Sequence, residues 1–599
     1  MDILGISLGH DSSFSLVSDG KIIEIMEAER YFRRKRYKLQ CQNLTPGKQK
    51  SGYQYVNLAE LEFFISLAAK SWGRDFEYLA VQNQGRYEEF NNLIILLRRA
   101  GFNFKSGLSV NHHLAHAALS YYTSPFKEAL ILSYDGFGND GYTLLFKASP
   151  AGIEYFKHSN VRFGQCYNNL GYIVGIQPDV SGSTAGKLMG LSSYGQMQKS
   201  WLPYALRYVR KYRKLIDPRP DEMGEYGKAY RFSSFSLDKI PDLKNFVSKV
   251  RQDIPVRLSE KIKHCFCIKL TTGQLRLPGP ENKLAQDLAH TLQWAWTQEV
   301  IRLLGRHKNT SRNLCLVGGC ALNGIANYAI QQSQMFKDIH FVPNPSDCGL
   351  SAGAALYVYH KFNTGHFKGY PGYLSPYLGS EPFDINEMSQ FKDDYPSREL
   401  EPGQLVAFLA RLIYDNRIIG VIRGRYEAGP RALGNRSILC NPLNKDMKDI
   451  LNFKVKHREW YRPFAPVVTA EDAGKYFTNF SEIPYMSVIC HVRPEYRSIL
   501  PSVTHVDNSV RLQTVRSEQN PFLYQALKEF QKLSGVPILL NTSFNPKGEP
   551  ILNFCSAGLR MLKATELDFV LIENTIFSKP ENKQLLEMRE EKGGELIWQ

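Results

Sequence analysis

The sequence predicts an α/β chain folded as two domains. Three observations carry that reading. A pattern of strand, Asp/Gly loop and returning strand occurs twice, at the N-terminus and again from residue 129. An apolar strand then runs through a glycine pair into a helix over 314 to 330. Between about 370 and 400 the composition turns to Pro, Gly and charge, in "YPGYLSPYLGSEPFDINEMSQFKDDYPSRELEPG". The domain boundary is placed there, at residue 370, although 599 residues allow two to four domains.

The first hairpin reads as the strand "DILGISLG", the polar loop "HDSS" and "FSLVSDGKIIEIM", two strands joined at Asp19-Gly20, a favoured tight turn. "NHHLAHAALSYY" (111 to 122) is rich in Ala and Leu and predicts a helix. Spacing i, i+4 stacks His112 and His116 on one face and turns His113 elsewhere. By itself this fits either a metal-binding pair or a helix whose imidazoles are satisfied by neighbours. The second hairpin is "ALILSYD", a glycine-rich loop "GFGND" and "GYTLLFK". Two such units fit a duplicated lobe or two ordinary hairpins.

"LCLVGGCALNGIANYAI" puts Gly318 and Gly319 between strand and helix, a good place for a nucleotide. In "NPSDCGLSAGAALYVY", Asp347 precedes a small-residue helix. Residues 196 to 290 are polar and basic with weak periodicity, and read as an insertion. In the second half, "IIGVIRGRYEAGPRALGNRSILCNP" brings Arg423, Arg425, Arg431 and Arg436 off an apolar strand. "NFKVKHREWYRPFAPVV" adds Lys454, Lys456, Arg458 and Arg462 beside aromatics, and "VPILLNTSFNPKGEPI" is a strand ending in Asn541-Thr542-Ser543. Arginines interleaved with Gly-Pro-Ala-Leu-Gly and flanked by apolar strands point to a cleft anion site.

The net charge of +16, with a basic run at Arg33-Arg34-Lys35-Arg36, favours nucleic acid or small phosphates, or is a solvated surface. The ten cysteines show no paired CxxC spacing, and His264-Cys265-Phe266-Cys267 is a poor zinc site. Reduced thiols, no signal peptide and no long apolar run predict a cytoplasmic protein off the membrane.

Taken in order, His10-Asp11, "NHHLAHA", "YDGFGNDG", "GKLMGLSSYG", "GGCALN", "NPSDCGLSAGAA", "EAGPRALGNRS", "KHREWYRPFAP" and "LLNTSFNPKGEPI" resemble the O-carbamoyltransferases of the NodU/CmcH/TobZ type. The resemblance spans roughly residues 3 to 551. It implies an actin-like, Kae1-type domain over 1 to 370 and a YrdC-like α/β domain over 371 to 599. The latter would join carbamoyl phosphate to ATP (with Mg2+) as carbamoyl-adenylate, and the former would pass the carbamoyl group to a hydroxyl. Arg431, Lys456 and Arg462 match catalytic positions, and Ser543 a ligand position, with Arg436 and Asn541 assigned to the same site. Gly318, Gly319 and Asn323 would line the adenosine pocket, and Lys187 would meet a phosphate. His112, His116, Asp135 and Asp347 match metal ligands. Fe(II) is the first choice there, while the ligand set alone suits Mn(II), Zn(II) or Ni(II). His10 is the expected general base, its ordinary pKa lying near operating pH, with Asp11 orienting it.

The sequence departs from the pattern at Ala185, where an acidic residue is expected before "GKLMGL", and in "LGHDSS", where a more aromatic approach is expected. Both leave the acceptor open. A hydroxymethyl on a polar natural product is expected, with a saxitoxin-type guanidinium alkaloid as first guess. Relatives suggest a homodimer. The rival readings are a tRNA threonylcarbamoyl-type transferase, using threonine and bicarbonate, and a plain actin-like kinase or ATPase. The first would bind nucleic acid, a partner the C-terminal motifs disfavour; the second leaves the arginine-rich half without a purpose.

Overall fold

The computed structural model describes residues 1–41, 58–82, 87–179, 182–212, 279–478, 482–587, 589–590 and 596–597. Its first half holds two five-stranded sheets. The first contains Asp2–Ser7 (β1), Ser13–Ser18 (β2), Lys21–Glu27 (β3), Tyr78–Gln82 (β4) and Ser106–Val110 (β5), in the order β3-β2-β1-β4-β5. The second contains Ala129–Gly138 (β6), Gly141–Ser149 (β7), Gly152–His158 (β8), Asn313–Val317 (β9) and Asp338–His340 (β10), in the order β10-β9-β6-β7-β8. Read from its hairpin side, the second sheet repeats the first. In each, three antiparallel strands are followed by two parallel ones: β1–β2, β2–β3, β1–β4 and β4–β5 correspond to β6–β7, β7–β8, β6–β9 and β9–β10. The two hairpins therefore open two sheets of the same topology, the repeat expected of an actin-like domain. One boundary differs from expectation: "GFG" is not loop, because β6 runs on through a register shift to Gly138 and leaves only Asn139-Asp140 as the turn.

Two helices fill the space between the lobes. His112–Tyr122 and Leu350–Phe362 pack together, and small residues let them meet. A Cβ on Gly353 would lie 2.0 Å from the carbonyl oxygen of Ala115, and one on Gly5 of β1 would lie 2.2 Å from that of Ser351. Such backbone-to-backbone contact is open only to glycine.

The second half is built on one eight-stranded sheet. Its strands are Ser397–Glu399 (β11), Ile419–Ile422 (β12), Arg436–Cys440 (β13), Ala465–Thr469 (β14), Gln513–Val515 (β18), Ile538–Ser543 (β19), Phe569–Ile572 (β20) and Thr575–Ser578 (β21), ordered β11-β21-β20-β12-β13-β19-β14-β18. Phe477–Thr478, Ile489–Val492 and Ser509–Arg511 (β15 to β17) form a small sheet beside it. Pairing is mixed, parallel for β12–β20 and β14–β18 and antiparallel elsewhere. Continuous apolar runs such as Ile419 to Ile422 and Phe569 to Ile572 are buried on both faces, as central strands under helices require.

Most of the expected insertion, and with it His264 to Cys267, lies outside the described residues. Its described flank, helix Leu202–Lys211, is pinned by Arg210 to the buried Glu299 of helix Lys283–Gly305, at 2.7 Å. All the described cysteines are buried and free. Among the described residues, no helix is long and apolar enough to cross a membrane.

Candidate active site

The turn between β6 and β7 caps the histidine helix. Asn139 Oδ1 accepts the backbone N–H of His112 at 2.9 Å, and the Asp140 carboxylate accepts that of His113 at 3.1 Å. These are N–H groups a helix start leaves unpaired. The capped helix directs His112 and His116 at two carboxylates, Asp135 on β6 and Asp347 ahead of helix Leu350–Phe362. His116 Nε2 lies 3.2 Å from Asp135 Oδ2 and 3.4 Å from Asp347 Oδ1; His112 Nε2 lies 3.5 and 3.7 Å from the same atoms. One donor atom from each residue falls within 4.8 Å of all the others. His112 Nε2 is buried and has no hydrogen-bond partner, although it faces this cluster. An orphaned imidazole nitrogen beside two carboxylates fits a divalent cation of borderline character.

The electrostatics agree. Burial opposes ionisation of Asp135, yet the facing imidazoles of His112 and His116 hold it well below the usual carboxylate range. Burial likewise opposes charge on His116, but Asp135 and Asp347 raise it to about 9. His113 faces away, its Nδ1 2.7 Å from Ser133 Oγ, and burial lowers its pKa to about 3. It packs as a neutral core residue, as the helical spacing predicts.

Asp347 is shared. Its Oδ2 lies 3.4 Å from His10 Nδ1, which also sits 2.9 Å from Asp11 Oδ2. His10 therefore does not keep an ordinary pKa. Asp347 first, then Asp11, raises it to about 9, so the imidazole is protonated at neutral pH. That departs from a ready-made general base; a cation at Asp347 would oppose the shift.

A second centre lies against the C-terminal sheet and is almost wholly cationic. Arg431, in the loop between β12 and β13, is pushed well below the ordinary guanidinium pKa by burial and then by Arg511 and Arg462. Its Nε is buried without a partner. Arg511, at the end of β17, is lowered to about 10 by burial and Arg462, and Arg458 is pushed down by burial and Arg462. Lys456, only 4% exposed, is pushed down by burial, then by Arg458, Arg462 and Lys35. Its ammonium donates to the Ser543 and Asn545 carbonyls at 2.7 and 2.6 Å and to Asn545 Oδ1 at 2.7 Å. Mutually repelling cations without enough carboxylates form an anion site.

Not every expected residue joins it. Arg436 is fully buried and spends all its donors on the protein: the carbonyls of Arg423, Gly424 and Asn435, and Asn553 Oδ1 twice. It is a structural residue, which corrects its assignment as a ligand. Arg425 is similarly spent on the carbonyls of Gly379, Ile23 and Leu378. Asn541 donates to Gln513 Oε1 at 2.7 Å and Ala432 O at 3.2 Å, leaving a buried Oδ1 without a partner beside the Arg431 loop. Asn323 caps helix Gly324–Gln332 through Ala326 N–H and pairs with Gln293, so its amide serves the fold. Gly318, at φ +93°, lies against Tyr134 O, and a Cβ on Gly319 would come 2.9 Å from Asp135 Oδ1. Both glycines abut β6 at Tyr134 and Asp135. Lys187 pairs with Glu459 at 2.6 Å and joins the helix "GKLMGL" to "REWYRPF".

Sequence reasoning missed Arg511, an arginine in the short strand "SVR" with no motif around it. It reads the run "RRKR" as a hint of an anionic partner or as solvated surface without singling out Lys35, which the fold brings to Lys456 and Arg462.

Comparison with known proteins agrees with these motifs. The Carbamoyltransferase N-terminus family model matches residues 2–356, and the Carbamoyltransferase C-terminus model matches residues 410–579. An uncharacterized protein of Synechocystis is 31% identical over 98% of this chain and 99% of its own length. Nodulation protein NolNO of Sinorhizobium fredii is 30% identical, covering 95% of this chain and 79% of its own. Nodulation protein U of Rhizobium tropici is 27% identical over 97% of this chain and 96% of its own. With both domain families matched across the two lobes and the C-terminal sheet, the chain belongs to the carbamoyltransferase family and is a transferase enzyme.

Proposed function

We propose that the enzyme is an ATP-dependent O-carbamoyltransferase working in two half-reactions. At the cationic centre, carbamoyl phosphate, ATP and water give carbamoyl-adenylate, pyrophosphate and orthophosphate. At the His/Asp centre the carbamoyl group then moves to an acceptor hydroxyl. The observation that carries the reading is the cluster of half-buried Arg431, Arg458, Arg462 and Arg511 around the buried Lys456, all repelling one another. Bringing two polyanions together calls for such charge, and each anion relieves the repulsion. Ser543 Oγ lies 3.4 Å from Lys456 Nζ, at the end of β19. Its hydroxyl donates to Asn545 Oδ1 at 2.6 Å and can turn from that bond to a phosphate or carbamoyl oxygen.

His112, His116, Asp135 and Asp347 would hold a divalent cation, which would supply Lewis acidity when bound. His10, beside Asp347 and 48% exposed, would meet the acceptor hydroxyl and would take its proton once a cation at Asp347 opposes the raised pKa. Two carboxylates adjoin His10, Asp11 at 2.9 Å and Asp347 at 3.4 Å, and together they outweigh the nearby Arg36. That supports a cationic acceptor carrying a hydroxymethyl, a guanidinium alkaloid of the saxitoxin type being the first to test.

The deciding assay is pyrophosphate release from ATP, with and without carbamoyl phosphate and without acceptor. Release that requires carbamoyl phosphate is the expected result. Release that instead requires threonine and bicarbonate moves the enzyme to the tRNA-modifying reading.

A further inference from the structure

The loop that presents Arg431 is an arch with feet on different domains. One foot is internal to the C-terminal half. Glu427, fully buried, accepts the backbone N–H groups of Leu433, Asn435 and Arg436 on Oε1, at 2.8, 2.7 and 3.2 Å. The other foot rests on the first N-terminal lobe. Glu27 Oε1 accepts the Gly429 N–H at 2.8 Å, and Arg30 Nη2 donates to the carbonyls of Gly429 and Glu427 at 2.8 and 3.2 Å. Arg30 is fully buried, pairs with Glu27 Oε2 at 2.8 Å, and donates to Ile551 O at 3.0 Å. Beyond Gly429 the chain has Pro430, which lacks an N–H, then Arg431, then Ala432, whose carbonyl takes the Asn541 amide. Arg431 is the keystone, and its buried Nε has no partner of its own.

A buried ion pair is weak as a stability device, because desolvation offsets its attraction. Here the pair spends its remaining hydrogen-bonding capacity on the C-terminal half, on Ile551 O and, with three bonds, on one foot of the arch. We propose that Glu27 and Arg30 are positioning residues for Arg431, so that the N-terminal lobe completes the anion site of the C-terminal half. This rests on the reading that Arg431 binds carbamoyl phosphate. At its other end the same segment touches the His10 loop, since Ala28 N–H donates to Ser12 O at 2.9 Å. The positioning segment thus physically joins the two reaction centres.

The test uses the full chain and calorimetric titration with carbamoyl phosphate, which needs no turnover. Arg30→Lys is expected to raise the dissociation constant about tenfold. In an Arg431→Lys background the same change is expected to add less than twofold, the signature of two residues acting through one contact. Hydrogen exchange is expected to quicken in the peptide covering 428 to 436 and to stay unchanged over 112 to 122. Glu27→Gln, which keeps an acceptor for the Gly429 N–H, repeats the test if Arg30→Lys folds poorly. Equal losses in both backgrounds, unchanged affinity, or faster exchange across the whole chain would each overturn the proposal. Failure of the wild-type enzyme to bind carbamoyl phosphate would instead sink the reading beneath it.

Discussion

Arg431 and Arg436 belong to one loop and live in opposite surroundings. Arg436 is enclosed by acceptors and its donors are all used, whereas Arg431 faces other cations and keeps a buried nitrogen unpaired. The two should respond oppositely to removal. Arg436→Met strands several buried carbonyls and the Asn553 oxygen, at roughly 1–3 kcal/mol for each unmet group, and should lower the urea midpoint severely. Arg431→Met relieves repulsion in the ligand-free protein and should leave the midpoint unchanged or slightly higher. Its pyrophosphate release should fall about 100-fold, the usual scale for losing one fixed charge aimed at a reacting phosphate. A large stability loss for Arg431→Met would mean that the arginine is structural after all. Composition alone cannot make this distinction, because both arginines sit in the same Gly-rich wording. What separates them is the register of β13, which turns Arg436 inward onto Asn553.

At the scale of elements, the histidine helix was readable and its support was not. The i, i+4 spacing put His112 and His116 on one face and His113 on another, and the coordinates place them so. Nothing local in "GFGND" showed that Asn139 and Asp140 would cap that helix, because the partners come together only through the β6–β7 pairing. Arg511 was invisible for the same reason: β17 delivers it from far along the chain. The small-residue run "LSAGAA" was legible as a helix, but its close approach to the histidine helix was not. Gly353→Ala would place a Cβ 2.0 Å from Ala115 O and push the two helices apart. Overpacking of this kind costs about 1–3 kcal/mol. It should also weaken metal binding, because Asp347 leads into one helix and the histidines ride on the other. Gly186→Ala is the contrast, since nothing lies within 4 Å of its added Cβ. Better helix propensity there should raise stability by up to about 1 kcal/mol. Urea melts with a Mn(II) titration of both variants check the pair.

Over the whole molecule, the duplicated lobes could be read from two hairpins and the cationic half from its arginines, while the way they meet could not. Beside the contacts of Glu27 and Arg30, the junction includes Lys187 with Glu459, His505 Nε2 at 3.1 Å from Gly190 O, and Arg511 against Met189 Sδ at 3.6 Å. These last three join the "GKLMGL" helix and the C-terminal half. Two centres with different chemistry should fail independently. His116→Ala removes a ligand from the His/Asp centre but touches no member of the cationic cluster. Bound divalent metal should therefore be lost, while carbamoyl-phosphate-dependent pyrophosphate release changes less than about threefold. Arg511→Ala should do the reverse, cutting pyrophosphate release about 100-fold at unchanged metal stoichiometry. Metal analysis and the pyrophosphate assay on the same two preparations decide the matter without knowledge of the acceptor. If His116→Ala also abolished pyrophosphate release, the centres would be one catalytic unit, and adenylate formation would have to be placed at the His/Asp cluster rather than among the arginines.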